Sequence, residues 1–354
     1  MKILIDVGHP AHVHLFASMA HILESKGNSV LFTIRDRALI ADLLDANGFK
    51  YIIASTPRYG KIGQATELLE HDYKVLKAAL KFKPDFLLGT SPSITHVSRL
   101  VKGKSIVFCE DDADYMFPFV YLSYPFADSI VTPAVLRDKK TKKYLTYKGY
   151  HELAYLHPNR FTPDPSILNE LGVKKGEDFF VLRLVAFKAH HDMGQVGLSK
   201  ESQIKLVNTL SKHGKVFITN EGEIPQELQG YQIPIAPHRI HHALYYAQML
   251  VSDGQTMTVE AAVLGTPAIR LNTFVGMCSI IEELEHSYQL TFGFTPDQEN
   301  AMFTKIDSLL AMKDLKQEWA KRRDKMLKDK IDLTGWMVNL VENYQEITHC
   351  RRSQ

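Results

Sequence analysis

Ser252-Asp253-Gly254-Gln255-Thr256-Met257-Thr258-Val259-Glu260-Ala261-Ala262-Val263-Leu264-Gly265-Thr266-Pro267 is the stretch on which the reading of this chain turns. Just before it, Ala247 to Val251 is short and apolar, as a buried strand requires. Behind it, Val259, Ala262 and Val263 recur at helical spacing until Gly265 and Pro267 stop the helix. The small polar turn between them, Gly254-Gln255-Thr256, presents free backbone N–H groups and the positive end of a helix dipole. Such a turn suits a phosphate or diphosphate. Glu260 falls about one turn into the helix, where a carboxylate can accept hydrogen bonds from a ribose diol. A second apolar run, Ala268-Ile269, leads into Arg270 and Asn272. A ligand-free strand–turn–helix unit of an α/β sheet accounts for the same pattern.

Working outward, strand and helix alternate on both sides of this segment. Strands are expected at Ile3–Val7, Ser29–Thr33, Tyr51–Ala54, Phe86–Leu88, Ser105–Cys109 and, as the last of the first half, Ser129–Val131. Helices fall between them, at about 14–26, 37–46 and 64–82. Residues of about 134–165 are rich in Lys, Tyr and Pro and read as a connector. The alternation restarts with strands at Phe179–Leu184 and Val216–Thr219 and a helix at 200–212. Beyond Thr273 the chain reads as helical, ending in a long charged helix from about Asp314 to Asn343. This spacing means parallel strands with helices on both faces. The expected division is 1–150, 151–330 and a closing segment, 331–354.

In open parallel sheets ligands bind beyond the carboxyl ends of the strands. The first such loop, Gly8-His9-Pro10-Ala11-His12-Val13-His14, lacks a Gly-rich dinucleotide fingerprint, which speaks against nicotinamide binding. Imidazole titrates near neutral pH, so a histidine here can take a proton from an attacking hydroxyl. Helix capping and zinc binding by His9 and His12 are the other readings of the loop, although nothing nearby completes a metal set. Lys188, His190, His191 and Asp192 follow the first strand of the second half, and Arg183 lies within that strand. Basic groups there can neutralise a diphosphate. Pro237-His238-Arg239 offers His238 as a further charge. Glu110-Asp111-Asp112-Ala113-Asp114 crowds four carboxylates, which repel unless they hold a cation, act on substrate or are solvated.

The donor turn resembles that of GT-B enzymes that use nucleotide-sugars, the MurG-type N-acetylglucosaminyltransferases and the UDP-N-acetylglucosamine 2-epimerases above all. Where those families place Ser-Gly-Gly or Ser-Gly-Ala, this chain has Gly254-Gln255-Thr256. Nearly the whole chain, from the Gly8–His14 loop onward, resembles an uncharacterised GT-B-like family of bacteria and archaea. The resemblance implies two Rossmann-like domains whose parallel sheets face across a cleft, with the C-terminal helix crossing back to the first. Ala11-His12-Val13 matches the Gly-His-Val turn of the MurG-type enzymes, making His12 the base or an acceptor-binding group. Lys188 and His190 match, loosely, the Gly-His-Arg loop of the 2-epimerases, and Glu110 matches one of their active-site carboxylates. The substrate-binding set is then Gly254, Gln255, Thr256, Glu260, Arg183, Lys188, His190, His238 and Arg270. The activity implied is transfer of a sugar from a nucleotide-sugar donor, UDP-linked by resemblance, to a glycan or lipid-linked acceptor. A 2-epimerase or hydrolase, and a non-catalytic nucleotide-sugar-binding subunit, are the alternatives. No cofactor is implied, and a homodimer is left open because 2-epimerase-like proteins are often dimers.

Composition sets the remaining bounds. The 354 residues carry a formal charge of +2, so no broad nucleic-acid surface is implied. The basic run Arg137–Lys143 reads first as a solvated surface and second as a contact with an anionic inner membrane surface. Three scattered cysteines, an apolar start too short for a signal peptide and the lack of a membrane-length apolar run lead to a cytoplasmic expectation.

Overall fold

The computed structural model describes residues 1–114, 116–138, 140–185, 197–220, 222 and 224–352. The chain divides into two compact units, Met1–Arg160 with Ile331–Gln354, and Phe161–Lys330.

The first unit alternates β1 (Lys2–Val7), α1 (Pro10–Ser25), β2 (Ser29–Arg35), α2 (Ala38–Ala46), β3 (Tyr51–Ser55), α3 (Gly60–Phe82), β4 (Phe86–Gly89), α4 (Ser93–Ser98), β5 (Lys104–Phe108), α5 (Phe117–Ser123), β6 (Ser129–Pro133) and β7 (Tyr144–Tyr147). These strands form a seven-stranded sheet in the order β3-β2-β1-β4-β5-β6-β7, and every pairing is parallel. Ile3, Leu4, Ile5 and Val7 of β1 are fully buried, as a strand covered by helices on both faces must be. The order reverses between β1 and β4, which opens a crevice at their carboxyl ends.

In the second unit come α6 (Ile167–Glu170), β8 (Phe179–Leu184), α7 (Lys200–Leu210), β9 (Lys215–Asn220), α8 (Ile240–Tyr246), β10 (Met249–Ser252), α9 (Thr256–Leu264), β11 (Ala268–Leu271), α10 (Ser279–His286), β12 (Thr291–Phe294), α11 (Glu299–Leu310) and α12 (Leu315–Asp329). Its five strands run β12-β11-β10-β8-β9, again all parallel. Here the reversal lies between β8 and β10, directly before the Gly254 turn.

Three expectations are corrected. Tyr144–Tyr147, inside the segment read as a connector, is the edge strand β7, paired with β6. Thr291–Phe294 interrupts the region read as wholly helical and pairs with β11. The long final helix is two: α12 stops at Asp329, and α13 (Leu333–Glu342), followed by α14 (Tyr344–Arg352), packs on α1 in the first unit. The break has a physical cause. Asp332 caps α13 by accepting from the Gly335 amide at 3.2 Å, and its carboxylate holds Arg160 at 2.6 Å.

Candidate functional site

The crevice between β1 and β4 brings His12 near Thr90 and His151. His9 caps α1, its Nδ1 accepting from the Ala11 amide at 3.2 Å, and Pro10 sits in the first helical turn. His9 is therefore a capping residue, and His14 lies against the Tyr155 ring at 5.2 Å. His12 is turned to the crevice, where its Nδ1 meets the Thr90 hydroxyl at 2.6 Å. Burial first, and then the nearby His9, His151 and Arg37, hold the His12 imidazole well below its ordinary value. It is neutral at pH 7 and able to act as a base.

Thr90 reaches this place because β4 ends on Gly89, whose φ of +155° lets the backbone close on Asp6; a Cβ there would stand 2.4 Å from the Asp6 carbonyl oxygen. The neighbouring Ser91 donates to the buried Asp6 carboxylate. Asp6 also accepts from Thr33 at 2.6 Å and meets His71 Nε2 at 2.9 Å, while His71 Nδ1 meets Ser55 Oγ at 2.8 Å. Beneath the crevice there is thus a buried ion pair tying α3 to the ends of β1 through β4.

The acidic turn after β5 is dispersed rather than gathered on one ligand. Glu110 lies 3.1 Å from Nδ1 of His151, a buried imidazole stacked on Tyr147. Asp112 accepts from the Arg137 amide at 2.9 Å, and Asp138 from the Ala113 amide at 2.8 Å. Asp111 is pushed up to about 7, by burial first and then by Glu110 and Asp112. His12, Thr90, Glu110, Asp111 and His151 make one cluster at the strand ends. The basic run beside it is partly spent on the chain itself. Lys140 donates to the Ala134 and Leu136 carbonyls, and Lys143 to that of Pro125.

In the second unit the turn after β10 is well ordered by its own bonds. Ser252 Oγ accepts from the Gly254 amide at 2.8 Å, and Thr258 donates to the Gly254 carbonyl at 2.7 Å. Asn272 donates to the Asp253 carbonyl at 2.7 Å. The Asp253 carboxyl accepts from Val185 at 2.7 Å, and burial pushes it up to about 7. Gln255 is the N-cap of α9, so the first amides of the helix point out of the turn without intrahelical partners. Gly254 is needed for space, since a Cβ would stand 2.7 Å from Val185.

The flanking residues meet different fates. Glu260 is 5% exposed, and one of its oxygens is taken by His241 Nε2 at 2.9 Å. Arg183 at the end of β8 donates to Thr219 at 3.1 Å. His238 is exposed on a short 3₁₀ turn, but the adjacent Arg239 is committed to Asp164 and Glu170 at 2.7 and 2.9 Å. Arg270 is fully buried in β11. Lys188 and His190, with His191 and Asp192, lie outside the described residues.

Thr90 and His151 complete the cluster, although sequence reasoning did not select them, and Asp111 was read only as part of the acidic turn. For Thr90 the signal was present: Gly89-Thr90-Ser91 follows a buried strand as the Gly254 turn does. His151 arrives through β7, which the sequence did not reveal. A groove of about 1130 Å³ opens elsewhere in the first unit, lined by Met1, Lys83, Asp85, Lys102, Lys104 and Tyr344. It lies at the amino ends of the strands and contains none of the cluster. Among the described residues no three His, Cys, Asp or Glu side chains are placed to hold a metal ion, and no helix is long and apolar enough to cross a membrane.

A family model described as "Protein of unknown function (DUF354)" matches residues 1–288. The uncharacterized protein MJ0665 of Methanocaldococcus jannaschii is 23% identical over 298 residues, 76% of this chain and 81% of that one. Among solved structures, an S. aureus MnaA-UDP co-structure aligns with a TM-score of 0.68 at 11% identity, covering 98% of this chain and 97% of that one. A putative UDP-N-acetylglucosamine 2-epimerase from Listeria monocytogenes gives 0.65 at 13%, covering 98% and 96%. Spinosyn forosaminyltransferase SpnP gives 0.64 at 13%, covering 99% of each chain. At these identities the likeness establishes the fold: two parallel-sheet α/β units of GT-B-like type.

Proposed function

This chain belongs to the DUF354 family, and we propose that it is a glycosyltransferase that moves a sugar from a nucleotide-sugar, UDP-linked by analogy with its structural neighbours, to a glycan or lipid-linked acceptor. The observation that carries the reading is His12: a neutral imidazole at a topological switch point, with Nδ1 fixed by Thr90. With Nδ1–H donated to the Thr90 hydroxyl, Nε2 holds the lone pair that receives the acceptor proton. The acceptor oxygen then forms a bond to the anomeric carbon, the bond from that carbon to the diphosphate oxygen breaks, and the nucleoside diphosphate leaves with the electron pair. In the second unit the amides at Gln255–Met257 and the Arg183 guanidinium suit a diphosphate by their hydrogen bonds and positive charge. Two members of the proposed set gain a different sense. Glu260 is paired with the buried His241, and Glu110 with His151.

A second reading, a nucleotide-sugar 2-epimerase or hydrolase, is favoured by Asp111. A carboxyl that titrates at about 7 can both give and take a proton at neutral pH, as chemistry on the sugar itself requires. Proton NMR of the protein incubated with a panel of nucleotide-sugars, with and without oligosaccharide acceptors, separates the two. Acceptor-dependent release of nucleoside diphosphate, lost in His12→Ala while donor binding persists, supports the transferase. Acceptor-independent appearance of a C2 epimer or free sugar, lost in Asp111→Asn instead, overturns it in favour of the second reading.

A further inference from the structure

The 23-residue helix α3, which joins β3 to β4, has two faces of unexpected character. Glu67, His71, Val75, Ala78 and Ala79 turn inward and are buried. A helix that meets only water on its other side should be polar there. Instead Tyr59, Ile62, Leu69, Tyr73 and Leu80 stand between 58 and 88% exposed. With Thr66 and the half-buried Leu76 they recur at intervals of 3, 4, 3, 4, 3 and 4 residues, the heptad pattern of a helix that packs on another helix. The stripe runs about 32 Å along the axis.

The pattern is also its own reverse. Turned end to end about His71, Ile62 falls on Leu80, Thr66 on Leu76 and Leu69 on Tyr73. A surface that matches itself under a half-turn is what an isologous dimer requires. The acidic groups at its margins are neutralised within the chain, Glu70 by Lys74 at 2.7 Å and Asp72 by His96 at 2.8 Å. Lys61 and Lys81 fall at the two ends, where long side chains can turn to water.

The area is of the size a dimer needs. The five exposed side chains present roughly 700 Å², above the roughly 300–600 Å² of the largest patch on a typical monomer and close to the roughly 800 Å² each partner gives to a stable interface. His96 ties this face to α5, since its other nitrogen meets the Leu122 carbonyl at 2.8 Å. There Phe117 and Tyr121, also exposed, hold their rings 4.4 Å apart and add to the apolar surface of the unit.

We infer that the outer face of α3 is a two-fold interface at which two copies of this chain pair antiparallel. This goes beyond the nucleotide-sugar reading and does not depend on it.

Sedimentation equilibrium of the full chain tests the inference, with an expected mass of twice the 40.2 kDa of one chain. Leu69 of one copy faces Tyr73 of the other. Leu69→Lys with Tyr73→Lys, and Leu69→Glu with Tyr73→Glu, should therefore each weaken self-association about a hundredfold by setting like charges opposite one another. An equimolar mixture of the two double variants should recover the dimer, which also shows that both fold. A wild-type protein that stays monomeric at micromolar concentration overturns the inference. So does a dimer that persists in both variants, or a mixture that stays monomeric. A monomer that floats with phosphatidylglycerol vesicles, and loses this in the glutamate variant, would assign the face to a membrane instead.

Discussion

Replacing His71 with alanine strands the Asp6 carboxylate in the core of the first unit. Asp6 is 1% exposed and His71 8%, and the pair is closed at 2.9 Å with Thr33, Ser91 and Ser55 meeting the remaining polar atoms. Removing one partner of such a pair costs about 3–5 kcal/mol, because the other is left charged and buried. For a unit of this size that lowers the melting temperature by roughly 6–20 °C. The pH dependence follows from the signs. The charge of Asp6 holds the His71 imidazole above its ordinary 6.5 despite burial, so its contribution is complete below 6.5 and is lost as pH rises through the raised value. Asp6 is displaced the other way: burial acts to raise its carboxyl, but His71 and the hydroxyl donors prevail and hold it below its ordinary 3.8. Its contribution is therefore complete above 3.8 and is lost as pH falls through the lowered value. The pair is strongest between about 4 and 6.5. Differential scanning calorimetry of wild type, His71→Ala, Asp6→Asn and the double variant should show the full deficit at pH 5.5 and a smaller one at pH 9. The double variant should be less destabilised than the sum of the singles. A deficit under about 1 kcal/mol at pH 5.5, or one independent of pH, would refute the buried ion pair.

Three other expectations follow from named contacts. Glu260→Ala should lower the melting temperature of the second unit in the absence of any ligand, since it leaves buried His241 without its carboxylate, whereas Glu260→Gln should recover most of the loss; equal melting of all three proteins would show that the contact is unimportant. Asp332→Ala removes both the α13 cap and the Arg160 pair and should cost about 1–2 kcal/mol in urea denaturation, with no change meaning that the cap is not formed in solution. In an NMR titration the His12 imidazole should ionise well below 6.5, and a midpoint at or above that value would remove it as a neutral base.

The parts of the fold that could be read from sequence are those where burial leaves a mark on composition. β1, with Ile3, Leu4, Ile5 and Val7 buried, and β10, before its polar turn, are both of this kind. β7 escaped because Tyr-Leu-Thr-Tyr is four residues long, sits on a sheet edge and follows a run of lysines. β12 contains Gly293 in its middle, which weakens any strand signal. The break before α13 depends on Arg160, which the chain brings to Asp332 only when folded. The candidate sites divide in the same way. Strand–turn–helix logic finds His12 and the Gly254 turn, because ligand sites of parallel sheets sit at switch points. It does not reveal that His241 claims Glu260, that His151 meets Glu110, or that Arg270 turns inward. Those are tertiary facts with no local periodicity.

The central claim, that the Gly254–Met257 turn takes the diphosphate of a nucleotide-sugar, is tested most directly by amide chemical shifts of the labelled protein titrated with UDP and with UDP-sugars. The account predicts saturable shifts largest at Gln255, Thr256 and Met257, with Arg183 among the next. No shift at millimolar ligand, or shifts confined to the groove around Lys83, Lys102 and Lys104, would contradict it.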